Sequence, residues 1–247
     1  MSIYAKDYIS QSISDFKLDR LDQKRIEVEK YLDYYTGTSI SQYIRPYFDI
    51  ESFQEVTVYE SNITKKFINK LSRIYTLGSK RNVNLGDERY DFYTRSKDKE
   101  FKHLERMTRL LGTIAVNVGF DETMGFSYKP LYYFIPFFEE DPMNPVAIAY
   151  PKLLAYDDPS LKSSEEEFIY FDDEYMIEYN GDGVVLKEVY HGLGRLPFIF
   201  LHREHQIDSF FVEGAMDIIN CNEHVNITLT EMQLGLRLQM FGQPFAT

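Results

Sequence analysis

The stretch from Lys187 to Thr247, KEVYHGLGRLPFIFLHREHQIDSFFVEGAMDIINCNEHVNITLTEMQLGLRLQMFGQPFAT, decides how the chain is read. Leu196–Leu201 (LPFIFL) is a short apolar run with aromatic and β-branched side chains, preceded by Gly192 and Gly194, which is the pattern of a buried strand. Polar residues then lead to a long helix beginning near Glu213. Met216, Ile219, Val225, Leu229, Met232, Leu236 and Met240 recur on roughly one face of a 3.6-residue period. The other positions hold Asn220, Asn222, Asn226, Thr228, Thr230 and Gln233, poor to ordinary helix formers whose amides and hydroxyls can hydrogen-bond. Two readings stand for this polar face: a solvated surface, or a hydrogen-bonding surface at a helix interface.

Upstream, the texture is first helical and then stranded. Leu18, Leu21, Val28, Leu32 and Tyr35 give a helix over 15–36, with Asp19 or Asp22 as caps and Gly37 as its stop. A brief helical piece over 39–44 ends at Arg45-Pro46, because proline disfavours helix in the residue before it. A short strand is expected over 55–59. Ser61 then caps a helix on which Ile63, Phe67, Leu71 and Ile74 face the core and Lys66, Lys70 and Arg73 face outward, with Gly78 beyond its end. Residues 79–94 are too polar and aperiodic for anything but a loop. Ser96 caps a further helix to Leu111, carrying Phe101, Leu104, Thr108 and Leu111 on one side, and Gly112 stops it.

After Gly112 strands are expected over 113–118, 128–137, 146–150, 167–170, 174–179 and 184–190. Asn180-Gly181-Asp182-Gly183 is a hairpin turn, since these residues tolerate positive φ. Prolines 130, 136, 142, 145, 151 and 159 confine several strands to edges. The fold class is therefore α+β: amphipathic helices, a mostly antiparallel strand-rich region and a long C-terminal helix. The parts run 1–112, 113–202 and 203–247.

Composition narrows the functions. With 247 residues and 44% hydrophobic side chains, the chain can bury one large or two small cores. No run reaches the ~18 apolar residues of a membrane span, and the N-terminus lacks the apolar core of a secretory signal. The single cysteine, Cys221, suits a reducing cytoplasm and reads as a small core residue. Twenty tyrosines and nineteen phenylalanines against no tryptophan point to half-buried sheet faces and subunit surfaces. A formal charge of −12 argues against gripping nucleic acid, because that affinity comes from neutralising phosphates. It is compatible with DNA passing through, since an acidic wall offers the backbone no adhesive sites. Residues 61–110 nevertheless hold 13 basic against 6 acidic side chains, and residues 111–182 hold 15 acidic against 3 basic. These are either two separately solvated surfaces or a complementary pair within or between subunits.

No catalytic pattern emerges. His202 and His205 are three apart but follow a strand and lack a third zinc ligand at motif spacing. The acidic clusters 139–141, 165–167 and 172–174 would serve a metal-dependent nuclease only if they converged on one frame. Glu100-Phe101-Lys102 matches a nuclease fragment but falls in a helix. Gly192-Leu193-Gly194-Arg195 lacks the third glycine and the Lys-Ser/Thr ending of a phosphate loop. No enzyme activity, cofactor or metal is expected.

The glycine turn and Pro-Phe strand of His191–Phe198, then Phe211 and Gly214, the Asn-rich Asn220–Asn226 and the ending Gln239–Pro244 together resemble the portal proteins of tailed bacteriophages. The resemblance covers the last quarter of the chain and implies that the rest is the wing. It implies a homo-oligomeric ring of roughly twelve subunits at one capsid vertex of the virion, assembled in the host cytoplasm, through which double-stranded DNA is packaged and ejected. Implied partners are the ring's own copies, the major capsid protein, the terminase and tail connector or adaptor proteins, with no membrane. Such chains continue into stem, clip and crown. This one ends at Thr247 soon after the helix, so the tunnel loop is expected outside it and DNA-contacting residues are unassigned. Asn222, Asn226, Thr230 and Gln233 are the candidate subunit-interface residues. A metal-dependent nuclease and a non-ring phage adaptor are the alternatives.

Overall fold

The computed structural model describes residues 4–15, 21–48, 57–75, 97–121, 125–152, 167–205 and 208–241. Helices α1 (Lys6–Asp15), α2 (Leu21–Thr36), α3 (Ile40–Ile44), α4 (Ile63–Leu71) and α5 (Asp98–Leu111) precede eight strands, and α6 (Met216–Phe241) follows them. The strands are β1 (Thr113–Asp121), β2 (Gly125–Leu131), β3 (Ile135–Phe137), β4 (Ala147–Lys152), β5 (Glu167–Phe171), β6 (Tyr175–Tyr179), β7 (Val185–Tyr190) and β8 (Phe198–His202). They form two wholly antiparallel sheets, ordered β2-β1-β8 and β3-β4-β5-β6-β7. The α+β architecture and the long C-terminal helix follow the sequence reading. Among the described residues, no helix is long and apolar enough to cross a membrane.

Alternation along β4 shows how the layers are joined. Ala147 and Ala149 face α1, whose Ile9 and Ile13 fill the space that the small side chains leave beside Phe168 and Tyr170. Ile148 and Tyr150 point the other way, toward Ala115 and Phe198 of the small sheet and toward Phe134 and Phe210. The five-stranded sheet is thus covered on one face by α1 and on the other by the small sheet and the Phe210 loop. A third cluster joins Tyr31 and Tyr34 of α2, Ile44, Ile68, Leu104, Leu110, Ile114 and Ile219. The helical core therefore draws on both ends of the chain, while α1 belongs to the sheet layer.

Several local expectations are corrected. The helix read over 15–36 begins at Leu21, with a separate α1 before it. Asn62, not Ser61, caps α4: its side chain accepts from Lys65 N at 3.0 Å and donates to Tyr35 O at 3.2 Å. The buried face of α4 is Thr64 and Ile68, while Phe67, Leu71 and Ile74 are 52%, 49% and 66% exposed. Residues 57–60 are not strand, and 55 and 56 lie outside the described residues, as do Ser96, Gly78 and the whole of the predicted loop 79–94. The strand read over 128–137 divides into β2 and β3 because Phe134 turns inward between Phe200 and Phe211, at 5.8 and 5.5 Å. The hairpin at 180–183 is present. Asn180 Oδ1 accepts from Asp182 N and Val184 N, and Gly183 has φ 78°.

Candidate functional site

α6 buries the face that its composition advertises as polar. Asn222, Asn226 and Thr230 have no exposed surface, and each holds the strand-like approach to α4. Thr230 Oγ1 accepts from Tyr59 N at 3.1 Å and donates to Asn226 O at 2.8 Å. Asn226 accepts from Ser61 N at 2.9 Å and donates to Ser61 O at 3.1 Å. Asn222 accepts from Ile63 N at 3.4 Å and donates to Thr64 Oγ1 at 3.2 Å. Spacing of four along a helix puts the three on one stripe, and residues 59–64 run antiparallel beside it. Their amides satisfy main-chain groups that a loop against a helix would otherwise bury unpaired.

Of the four candidate subunit-interface residues, Asn222, Asn226 and Thr230 are enclosed within the chain and bonded to its own 59–64 segment. Gln233, the fourth candidate, is half-buried, and its Oε1 has no partner among the described residues. Cys221 is exposed rather than in the core, for the same reason: the polar stripe takes the inner face and turns Cys221 outward.

Glu223 is the second buried polar group of α6, at 8% exposure. Lys30 Nζ lies 2.7 Å from Oε2, to which Tyr34 also donates at 3.1 Å, and Tyr47 donates to Oε1 at 3.1 Å. One cation and two hydroxyls thus satisfy both oxygens of the buried carboxylate. Burial, then the Glu223 charge, pushes the Tyr34 hydroxyl well above its ordinary range.

The loop before α6 is pinned by close approach. Ala215 N donates to Leu110 O at 2.9 Å and Arg203 Nη1 to Gly214 O at 3.0 Å. A Cβ on Gly214 would meet Leu110 O at 2.7 Å and the Tyr31 hydroxyl at 2.9 Å. Phe211 carries the Lys24 ammonium 3.0 Å from its ring centroid, and burial lowers the Lys24 pKa to about 8.

The residues weighed for chemistry have structural partners. His202 Nδ1 meets Thr113 Oγ1 at 3.1 Å across the β1–β8 ladder, its ring stands edge-on to Phe210, and burial lowers its pKa. His205 is exposed. Asp172 is fully buried, and its Oδ1 accepts from Glu174 N and Tyr175 N, closing the β5–β6 turn. Asp141 similarly accepts from Met143 N in the turn before β4. Glu100 of α5 pairs with Lys97, the residue before that helix. Among the described residues, no group of three or more His, Cys, Asp or Glu could hold a metal ion. Residues 165 and 166 lie outside them.

Beyond Thr230 the long helix leaves its clasp. Glu231, Met232, Leu236, Arg237 and Gln239 are exposed, Met232 and Leu236 at 59% and 60%. Both lie on the apolar face read from the sequence, on which Val225 and Leu229 are half-buried. Neither models of known protein families nor curated protein sequences match this chain.

Proposed function

We propose that the chain is a portal subunit, or the wing part of one, of a tailed bacteriophage: a copy of a ring at a capsid vertex through which DNA is packaged and ejected. The observation that carries this reading is α6. Its first half is held in the body by a buried polar stripe, and its second half exposes Met232 and Leu236. At about 1.5 Å per residue a 26-residue helix is roughly 39 Å long, enough to run from a wing toward a stem. Among the residues that carry the family resemblance, Gly214 is held by close approach to Leu110 O, and Asn222 and Asn226 by hydrogen bonds to the 61–64 segment.

In this reading the apolar residues outside the clasp, rather than Asn222 and Asn226, meet the neighbouring copy. The ring would do no chemistry and would dock capsid protein, terminase and tail connectors. The net charge of −12 suits a wall that DNA slides past. The test is the double substitution Met232→Glu and Leu236→Glu in protein made from the intact gene. Assembly is expected to fail while circular dichroism stays that of the folded chain. Rings that form undiminished would contradict the role given to α6.

A further inference from the structure

The basic and acidic blocks of the sequence come to lie on different layers. α4 joins the helical core through Ile68, whereas the acidic stretch supplies the strands and turns of the five-stranded sheet. We propose that the outward face of α4 on one copy packs against the acidic end of that sheet on the next copy. The inference rests on the ring reading and adds to it the two surfaces that meet.

The outward face of α4 is apolar with a basic surround. Phe67 and Leu71, one turn apart, are 52% and 49% exposed, and Lys65, Lys66 and Lys70 are exposed beside them. Among the described residues, no carboxylate lies within ion-pair distance of these three lysines. Apolar surface rimmed by unpaired cations marks a contact with an acidic partner.

The sheet end supplies the complement. Strand register brings the β3–β4 loop, with exposed Glu139, Glu140 and Asp141, to the same end as the β5–β6 turn, with half-buried Asp173 and Glu174. β7 finishes beside them. Tyr190 pairs with Tyr175 there and is 64% exposed, and Leu193 is 56% exposed in the loop whose His191 N donates to Glu174 O. Arg195, in the same loop, leaves the end acidic. With neighbouring strands about 4.8 Å apart, the acidic row from β3 to β6 spans about 14 Å, and the nine residues of α4, at about 1.5 Å each, cover the same length.

Both surfaces belong to every chain, yet the lysines do not find the acids within one copy. Two different, complementary patches on identical chains make a head-to-tail contact, the kind that closes into a ring when the rotation allows. A second copy is therefore the occupant.

The test uses protein from the intact gene in two variants at exposed positions, Lys66→Glu with Lys70→Glu and Glu139→Lys with Glu140→Lys. Native mass and class averages score assembly, and circular dichroism checks folding. Each variant alone is expected to need at least about tenfold more protein for half-assembly, since every contact then sets like charges together. Mixed one to one, the two should assemble as the unaltered chain does, because the acidic α4 of one meets the basic sheet end of the other, and the remaining contacts are native. Assembly of the unaltered chain should also weaken as salt rises from about 0.05 to 1 M. Either variant assembling alone as well as the unaltered chain, a folded mixture that stays unassembled, or assembly indifferent to salt would overturn the proposal and leave the ring reading standing. An unaltered chain that forms no ring would overturn both.

Discussion

Asn226 and Ser61 close a two-bond ring: the Asn226 side chain accepts from Ser61 N at 2.9 Å and donates to Ser61 O at 3.1 Å, across 165 residues of chain. An amide side chain here does what the neighbouring strand does in a sheet, pairing both main-chain groups of one residue. Asn226→Leu keeps the size and removes both bonds. It should destabilise the protein by about 1–3 kcal/mol, read from urea unfolding, because Ser61 is left with a donor and an acceptor unpaired. No loss of stability would mean that the 59–64 segment is held by something else.

The two tyrosines on Glu223 should behave differently. Tyr34 is fully buried and Tyr47 is 58% exposed, although both donate to the carboxylate at 3.1 Å. Tyr34→Phe is expected to cost about 1–2 kcal/mol, since the lost bond is to a buried charge. Tyr47→Phe should cost under about 0.5 kcal/mol, because water replaces the hydroxyl. Equal effects in unfolding experiments would show that Glu223 is wetter than its 8% exposure implies.

Two glycines in the same region predict opposite signs. Gly214→Ala would force Cβ against Leu110 O at 2.7 Å and should destabilise by about 1–3 kcal/mol. Gly235 sits inside α6 with nothing within 4 Å of a Cβ. Gly235→Ala should therefore stabilise by about 0.5–1 kcal/mol through helix propensity alone. Thermal or urea midpoints of the two variants, measured side by side, check both.

Alkaline pH should first help and then harm. Burial lowers the Lys24 pKa to about 8 from the ordinary 10.5, so between these values the unfolded chain binds this proton more strongly and stability rises with pH. Burial pushes Tyr43, Tyr150 and Tyr179 up to about 12. The stability these hydroxyls contribute is complete below pH about 10 and is lost as pH rises through about 12. Urea midpoints should climb from pH 8 toward 10 and fall beyond it, and Lys24→Met should remove the climb. A monotonic fall in the unaltered protein would contradict the burial of Lys24.

The long helix and most strands were legible because their signals are local: apolar spacing, Gly112, and the Asn180–Gly183 turn. What periodicity could not reveal was which face of α6 turns inward. Val225, Leu229, Met232 and Leu236 have the spacing of a core stripe, yet the inner stripe is Asn222, Asn226 and Thr230. These can be buried only because Tyr59, Ser61 and Ile63 bring main-chain groups to them from far along the chain. The same holds on α4, where Thr64 goes in because Asn222 is there to donate to it, and Phe67 goes out. Glu223 gave no signal of its own. Lys30 and Tyr34, four apart on α2, show a cation and a hydroxyl on one helix face, which was the available hint of a buried acid partner.

The most direct test of the portal reading is the native mass of the protein made from its intact gene, with class averages of its particles. The account predicts one assembly of many copies arranged around a central channel. A monodisperse monomer or dimer, folded and stable at the concentrations tested, would contradict it.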